Sequence, residues 1–210
     1  MKQVEVEIEG TTPLLQHRMN EETLHGLLGS KAKKTKVVEE LTPRQIAEKA
    51  VYRDKTGCYI PAEYVVGAFR FAASDFKESN KTRRSMKTVA AAIFRPNDGV
   101  IHLLDLSDKP LTEFEVDIRK ATNHASKAAV AVCRPRFDRW KCRFMVTIDD
   151  SMITSALAQQ IFEESGKRVG IGSFRVAKGG VFGQFRVTKW KDLDGEKQLA
   201  GDKKKEISSV

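Results

Sequence analysis

From Arg139 to Ile148 the chain alternates without a break: Trp140, Cys142, Phe144, Val146 and Ile148 fall on one side of a period of two, and Arg139, Lys141 and Arg143 on the other. Such a stretch can be accommodated only as a strand with one face in a core, and its opposite face is expected to be partly cationic. The same period opens the chain, where Val4, Val6 and Ile8 alternate with Glu5, Glu7 and Glu9 before Gly10. It returns at Phe114, Val116 and Ile118, interleaved with Glu113, Glu115 and Asp117. Half-buried strands need a cover, so helices with one apolar stripe must lie between them in sequence.

Two such helices are legible. Pro61 opens the first, with Val65, Ala68, Phe69, Ala72, Ala73 and Phe76 on one stripe. The second is expected to be capped by Asp149 or Asp150, to carry Ile153, Ala156, Leu157, Gln160 and Ile161 on its stripe, and to end at Ser165-Gly166. The stretch from Ala128 to Ile148 reads as two strands joined near Pro135 to Asp138, and a final strand runs through Val181 to Val187. Strand, helix, strand pair, helix, strand is the order of an α+β, ferredoxin-like or RRM-like βαββαβ core with an antiparallel sheet, two helices and large insertions. One domain over residues 1–190 is expected, with insertions at about 11–59 and 78–112. The first insertion is expected to project from the core and to hold a short helix near Thr42 to Val51, started by Thr42-Pro43. A short strand is expected at Val100 to Leu104, and residues 191–210 read as a charged mobile tail.

Composition narrows the function classes. Lys and Arg number 37 against 28 Asp and Glu, a net charge of +9 that favours polyanionic partners through counterion release. No apolar run approaches the roughly 18–20 residues of a membrane span. The start, Met1-Lys2-Gln3-Val4-Glu5, lacks the pattern of a secretory signal, so a cytoplasmic protein is expected. Cys58, Cys133 and Cys142 show no paired spacing and read as reduced, buried thiols; no metal or other cofactor is expected.

The segment from Arg168 to Phe185 carries Gly170, Gly172, Gly179, Gly180 and Gly183 among Arg168, Arg175 and Lys178. Such a loop lets backbone amides approach a phosphate chain while cations neutralise it; the same glycines would equally serve a bulged strand pair. A dinucleotide or Walker loop is excluded, because Gly170-Ile171-Gly172 follows a helix instead of a strand and no GxxxxGK[ST] occurs. The second informative segment, Gly57-Cys58-Tyr59-Ile60-Pro61, leads into the first helix, where Gly67 precedes Arg70.

Together these segments resemble the RAMP superfamily, especially the backbone subunits of CRISPR effector complexes. There, G-x-x-Y-I-P-G-S-S-L-K-G-x-x-R introduces the first core helix and a glycine-rich loop precedes the last strand. Gly57, Tyr59, Ile60, Pro61, Gly67 and Arg70 match the first motif; Gly170, Gly172, Arg175, Gly179, Gly180 and Gly183 match the second; Val4 to Leu15 resembles the family's first strand and the loop after it. Ala62, Glu63, Tyr64 and Val66 depart from the family's Gly-Ser-Ser-x-Lys, bringing in a carboxylate.

The resemblance implies a non-catalytic protein that grips the sugar-phosphate backbone of single-stranded RNA or DNA. It further implies assembly as a homo-oligomer or filament along the strand, with other effector subunits as partners and residues 11–59 acting as a thumb. The residues assigned to the strand are Arg18, Lys31, Lys33, Lys34, Lys36, Arg70, Lys81, Arg83, Arg84, Lys87, Arg134, Arg136, Arg139 and Arg168, with Arg175, Lys178 and the five glycines. Contact with about six phosphates would cost about a thousandfold in affinity between 50 and 200 mM salt. Three alternatives stand beside this reading: a single-stranded DNA-binding protein of viral replication or recombination, a metal-independent endoribonuclease using His17 or His25, and a decoy that mimics a backbone subunit. No Asp occurs between Gly10 and Val51, which argues against the aspartate-dependent RNA cleavage of some backbone subunits.

Overall fold

The computed structural model describes residues 1–19, 41–78, 84–122 and 129–193. The alternating stretch at the start becomes β1 (Lys2–Gly10), and the other forms β8 (Lys141–Ile148). They pair antiparallel with Val6 opposite Phe144 and Glu7 opposite Arg143, so apolar and charged residues fall on separate faces. β9 (Phe185–Asp192) pairs with the other side of β1, and β4 (Phe94–Pro96) with the other side of β8. The result is an antiparallel four-stranded sheet in the order β4-β8-β1-β9. The molecule is therefore α+β, with antiparallel sheets and few helices. No helix among the described residues is long and apolar enough to cross a membrane.

Two helices cover one face of this sheet. The first, α2 (Ala62–Ala72), follows β3 (Tyr59–Pro61) and buries Ala62, Val65, Ala68, Phe69 and Ala72, close to the expected stripe. The other, α4 (Ser155–Glu164), corrects the expected one: Thr154 is its cap, accepting from the Leu157 amide, and the buried residues are Ala158, Ile161 and Phe162, while Ala156 and Gln160 are exposed. The Asp149 carboxylate accepts from Ser151 in the preceding turn instead, which delays the helix start and rotates its stripe. Phe162 binds the layers together, with ring centroids 5.0 Å from Phe94, 5.1 Å from Phe185 and 6.2 Å from Phe144, and Phe94 stacks on Phe69 at 4.4 Å. The ring cluster lies where both helices meet the sheet, so its burial fixes their positions relative to the strands.

Other strands go elsewhere than the sequence suggested. β7 (Ala129–Phe137) does not form a hairpin with β8; it pairs antiparallel with β6 (Glu115–Thr122) and β2 (Leu14–Leu15) in a second sheet. The place beside β8 is taken by β4, which follows the short helix α3 (Ala90–Ile93) within the stretch read as an insertion, because Phe94 fills the gap between Phe69 and Phe162. β5 (Val100–His102) pairs with β3. In β6 the alternation inverts: Asp117 is buried and Ile118 exposed, since Asp117 accepts from Arg119 Nε at 2.7 Å and lies opposite Arg134. The last strand starts at Phe185 instead of Val181 because Gly183 has φ +70, which breaks an extended run before it.

The described parts of 11–59 belong to the core instead of projecting from it. Leu14, Leu15 and Gln16 are fully buried, and α1 (Pro43–Ala50), capped by Thr42 as its sequence predicts, packs on β7 and buries Ala47 and Ala50. The ends of this stretch are tied together. Gln16 donates to the Tyr59 carbonyl and accepts from the Tyr52 amide, both at 2.8 Å, and the Arg18 amide donates to Ala50 at 2.9 Å. Cys58, Cys133 and Cys142 are buried and unbridged.

Candidate nucleic-acid interface

The face of the four-stranded sheet away from the helices is charged but self-neutralised. Arg143 donates to Glu7 at 2.6 and 3.0 Å and to Asp108 at 3.1 Å. Lys189 reaches Glu5 at 2.8 Å, Arg186 reaches Glu9 at 2.9 Å, and Lys141 pairs with Asp108. The Arg143 guanidinium holds the Glu7 carboxyl below the usual carboxylate range, against the opposing effect of burial. The expected partly cationic face of β8 is thus corrected: the β1 glutamates and Asp108 cancel the charge of Arg143 and Lys141.

The glycine-rich segment builds a different surface. A π-helical turn (Ser165–Val169) continues α4, Gly170 leaves it at φ +71, and the chain folds back through a 3₁₀ turn (Val176–Lys178) to β9. Two glycines are dictated by close approach. A Cβ on Gly180 would lie 1.7 Å from the Phe174 carbonyl oxygen, and one on Gly183 1.8 Å from that of Ile171. Gly170 and Gly172 likewise face neighbouring backbone, Gly172 against Leu15, so these four glycines serve the folding of the loop itself. Gly179, exposed at φ +76, meets nothing within 4 Å.

Folded this way, the loop forms one wall of an open cleft of about 460 Å³ whose other wall is the first turns of α2. His17, Gly170, Gly172, Arg175 and Lys178 are brought together here, joined by Glu63, Tyr64, Gly67 and Phe174. Arg175 leans on the loop, donating to the Gly172 carbonyl at 3.2 Å, and Lys178 is exposed without an ion-pair partner among the described residues. Gly67 is informative: it lies inside a helix, where glycine costs about 1 kcal/mol relative to alanine, yet an added Cβ would meet nothing within 4 Å. Packing within the chain does not require it, and it leaves the cleft wall bare. Desolvation in the cleft, and then the charge of Arg134, lower the His17 pKa below the ordinary imidazole value. Burial raises the Tyr64 phenol well above its ordinary value, with the neighbouring Tyr52 adding to it.

Arg134 stands behind this wall. It is only 7% exposed, its guanidinium carbon lies 4.4 Å from the centroid of the Phe174 ring, and its Nε and Nη1 have no hydrogen-bond acceptor among the described residues. Arg119 packs similarly on Phe182 at 4.5 Å, so the second sheet holds the glycine loop through two cation–π contacts.

The remaining sequence-assigned cations are dispersed. Arg18 is half-buried and lines a second, mostly apolar groove with Met19, Leu41, Ile46 and Val132. Arg136 pairs with Asp138 at 2.6 Å and Arg168 with Asp75 at 3.0 Å. Arg70, Arg84, Lys87 and Arg139 are exposed and line neither the cleft nor that groove. Lys31, Lys33, Lys34, Lys36, Lys81, Arg83 and His25 lie outside the described residues. Sequence reasoning passed over Phe174 and Tyr64; the available signal was an aromatic ring set among glycines and arginines.

No family model matches the chain, and no curated protein matches it. Among solved structures it is similar to a chain in a cryo-EM structure of the Type III-B Cmr-beta bound to cognate target RNA, at 13% identity and a TM-score of 0.47. The similarity covers 91% of this chain and 61% of that one, so it spans less than two thirds of the solved chain.

Proposed function

We propose that this chain is a RAMP-like, single-stranded nucleic-acid-binding protein that grips a sugar-phosphate backbone in the cleft between the glycine loop and α2. The sheet order β4-β8-β1-β9, antiparallel throughout with α2 and α4 on one face, supports a ferredoxin-like core in which the cleft lies at the end of the second core helix. The observation that carries the reading is the cleft wall: a helix-interior glycine that packs against nothing faces a loop carrying Arg175 and Lys178. A bare wall and nearby cations suit a phosphate chain, which needs close approach and neutralising charge but no base reading. The open sheet face, by contrast, has spent Arg143, Arg186, Lys189 and Lys141 on the β1 glutamates and Asp108. The role is non-catalytic, with assembly along the strand. In low-ionic-strength buffer the nuclease-treated protein should bind fluorescent oligoribonucleotides or oligodeoxyribonucleotides of unrelated sequence with similar affinity. The logarithm of the binding constant should fall against that of salt concentration with a slope of about −2 to −4. Absence of binding to both polymers sinks the reading.

His17 favours one second reading. It lies in the same cleft, and partial desolvation together with the charge of Arg134 lowers its pKa, which favours the neutral imidazole that a general base requires. Discrete cleavage of labelled RNA in the presence of a chelator, lost in His17→Ala, would make the chain a metal-independent endoribonuclease.

A further inference from the structure

Phe174 is the residue that local folding explains least. Its φ is +49, a left-handed conformation that costs a bulky side chain about 1–3 kcal/mol. A glycine or an asparagine would adopt it at lower cost. The surroundings enforce it: the Phe174 carbonyl accepts from the Phe182 amide at 3.2 Å and lies so close to Gly180 that no side chain fits there. The ring is not spent on the core: Phe174 is half-buried, lies outside the hydrophobic cluster and lines the cleft. Arg134 does not line the cleft and is buried against the ring. One face of an aromatic ring is therefore backed by a fixed cation, while the ring borders an open cleft within the roughly 300–1,000 Å³ range of small-ligand sites.

We propose that Phe174 is a stacking platform for one unpaired nucleobase of the strand, with Arg134 as the fixed cation beneath it. The inference rests on the cleft holding a strand and adds what the backbone reading lacks, a seat for a base. The guanidinium draws electron density from the ring, so the side facing the cleft is suited to stack an electron-rich base of any kind. Arg175 and Lys178, on the same wall, are placed for the flanking phosphates. Because every base presents a π-face, such a seat raises affinity without reading sequence.

The test compares oligoadenylate with a length-matched abasic sugar-phosphate polymer, in both ribo and deoxyribo series, by fluorescence anisotropy on the full chain. The wild-type protein should prefer oligoadenylate about tenfold, the size expected of one stacked base. Phe174→Ala and Phe174→Leu should lose that preference, read as the ratio of the two affinities in each variant, with an unchanged salt slope, and Phe174→Trp should retain it. Equal binding of both polymers by the wild type overturns the stacking seat and leaves strand binding standing; so does an undiminished preference in Phe174→Leu, whose apolar bulk preserves the loop. If the wild type binds neither polymer, both readings fall together.

Discussion

The open face of the four-stranded sheet and the cleft beside the glycine loop are both rich in arginine and lysine, yet they are physically opposite. On the sheet, Arg143, Lys189 and Arg186 are fixed by Glu5, Glu7 and Glu9 of β1, at distances set by strand register. In the cleft, Lys178 has no ion-pair partner among the described residues and Arg175 donates to a carbonyl of its own loop, while Arg134 lies behind the wall against the Phe174 ring. A surplus of positive charge therefore does not by itself mark a binding surface; the proposed one lies where the fold withholds carboxylates. Among the described residues, Glu63 is the one acidic side chain lining the cleft.

Reversing the cleft cations tests this contrast most severely. Arg175→Glu together with Lys178→Glu should weaken strand binding more than tenfold, alike for all sequences, and make the salt slope shallower by about 1 to 2. Thermal unfolding should shift little. A sequence-selective loss, or none, would show that the cleft is not the grip. Gly67→Ala should separate the regions in another way. The substitution should stabilise α2 by about 0.5–1 kcal/mol, seen as a raised urea midpoint, while weakening strand binding severalfold, because the new methyl group occupies the bare wall. Unchanged affinity would mean that the wall is not approached.

The smallest effect belongs to the paired face. Arg143→Gln should cost about 0.5–1 kcal/mol at neutral pH, as expected of a solvent-screened pair, and leave strand binding unaltered. Its pH dependence follows from Glu7, whose folded pKa is depressed. The stabilisation is present in full above the unfolded value of about 4.3 and is lost as pH falls through the folded value, so the wild-type and variant denaturation midpoints should converge in acid. A stability gap that persists at pH 2–3 would show that Arg143 acts by packing instead of charge.

How much of this was legible depends on whether the determinant was local. β1, β8 and α2 follow from periodicity because each buries one face along its whole length. β4 escaped because three residues ending in proline have no period; only the ring stack with Phe69 and Phe162 makes Phe94 a strand residue. The neutral character of the sheet face was hidden for a related reason, since Arg143 meets Glu7 across 136 positions of sequence. The glycine loop stood out in composition, but which glycines serve folding and which leave space depends on neighbours such as Leu15 that come from the other end of the chain. The sequence trace of Phe174 was only a ring beside glycine and arginine, because its meaning lies in a backbone angle and in an arginine from β7.

The hydrogen bonds that join Gln16 to Tyr52 and Tyr59, and Arg18 to Ala50, act as a clasp. His17 stands between the two tied residues, so the clasp also fixes one corner of the cleft. Loosening it would reach the site without touching a side chain that lines it.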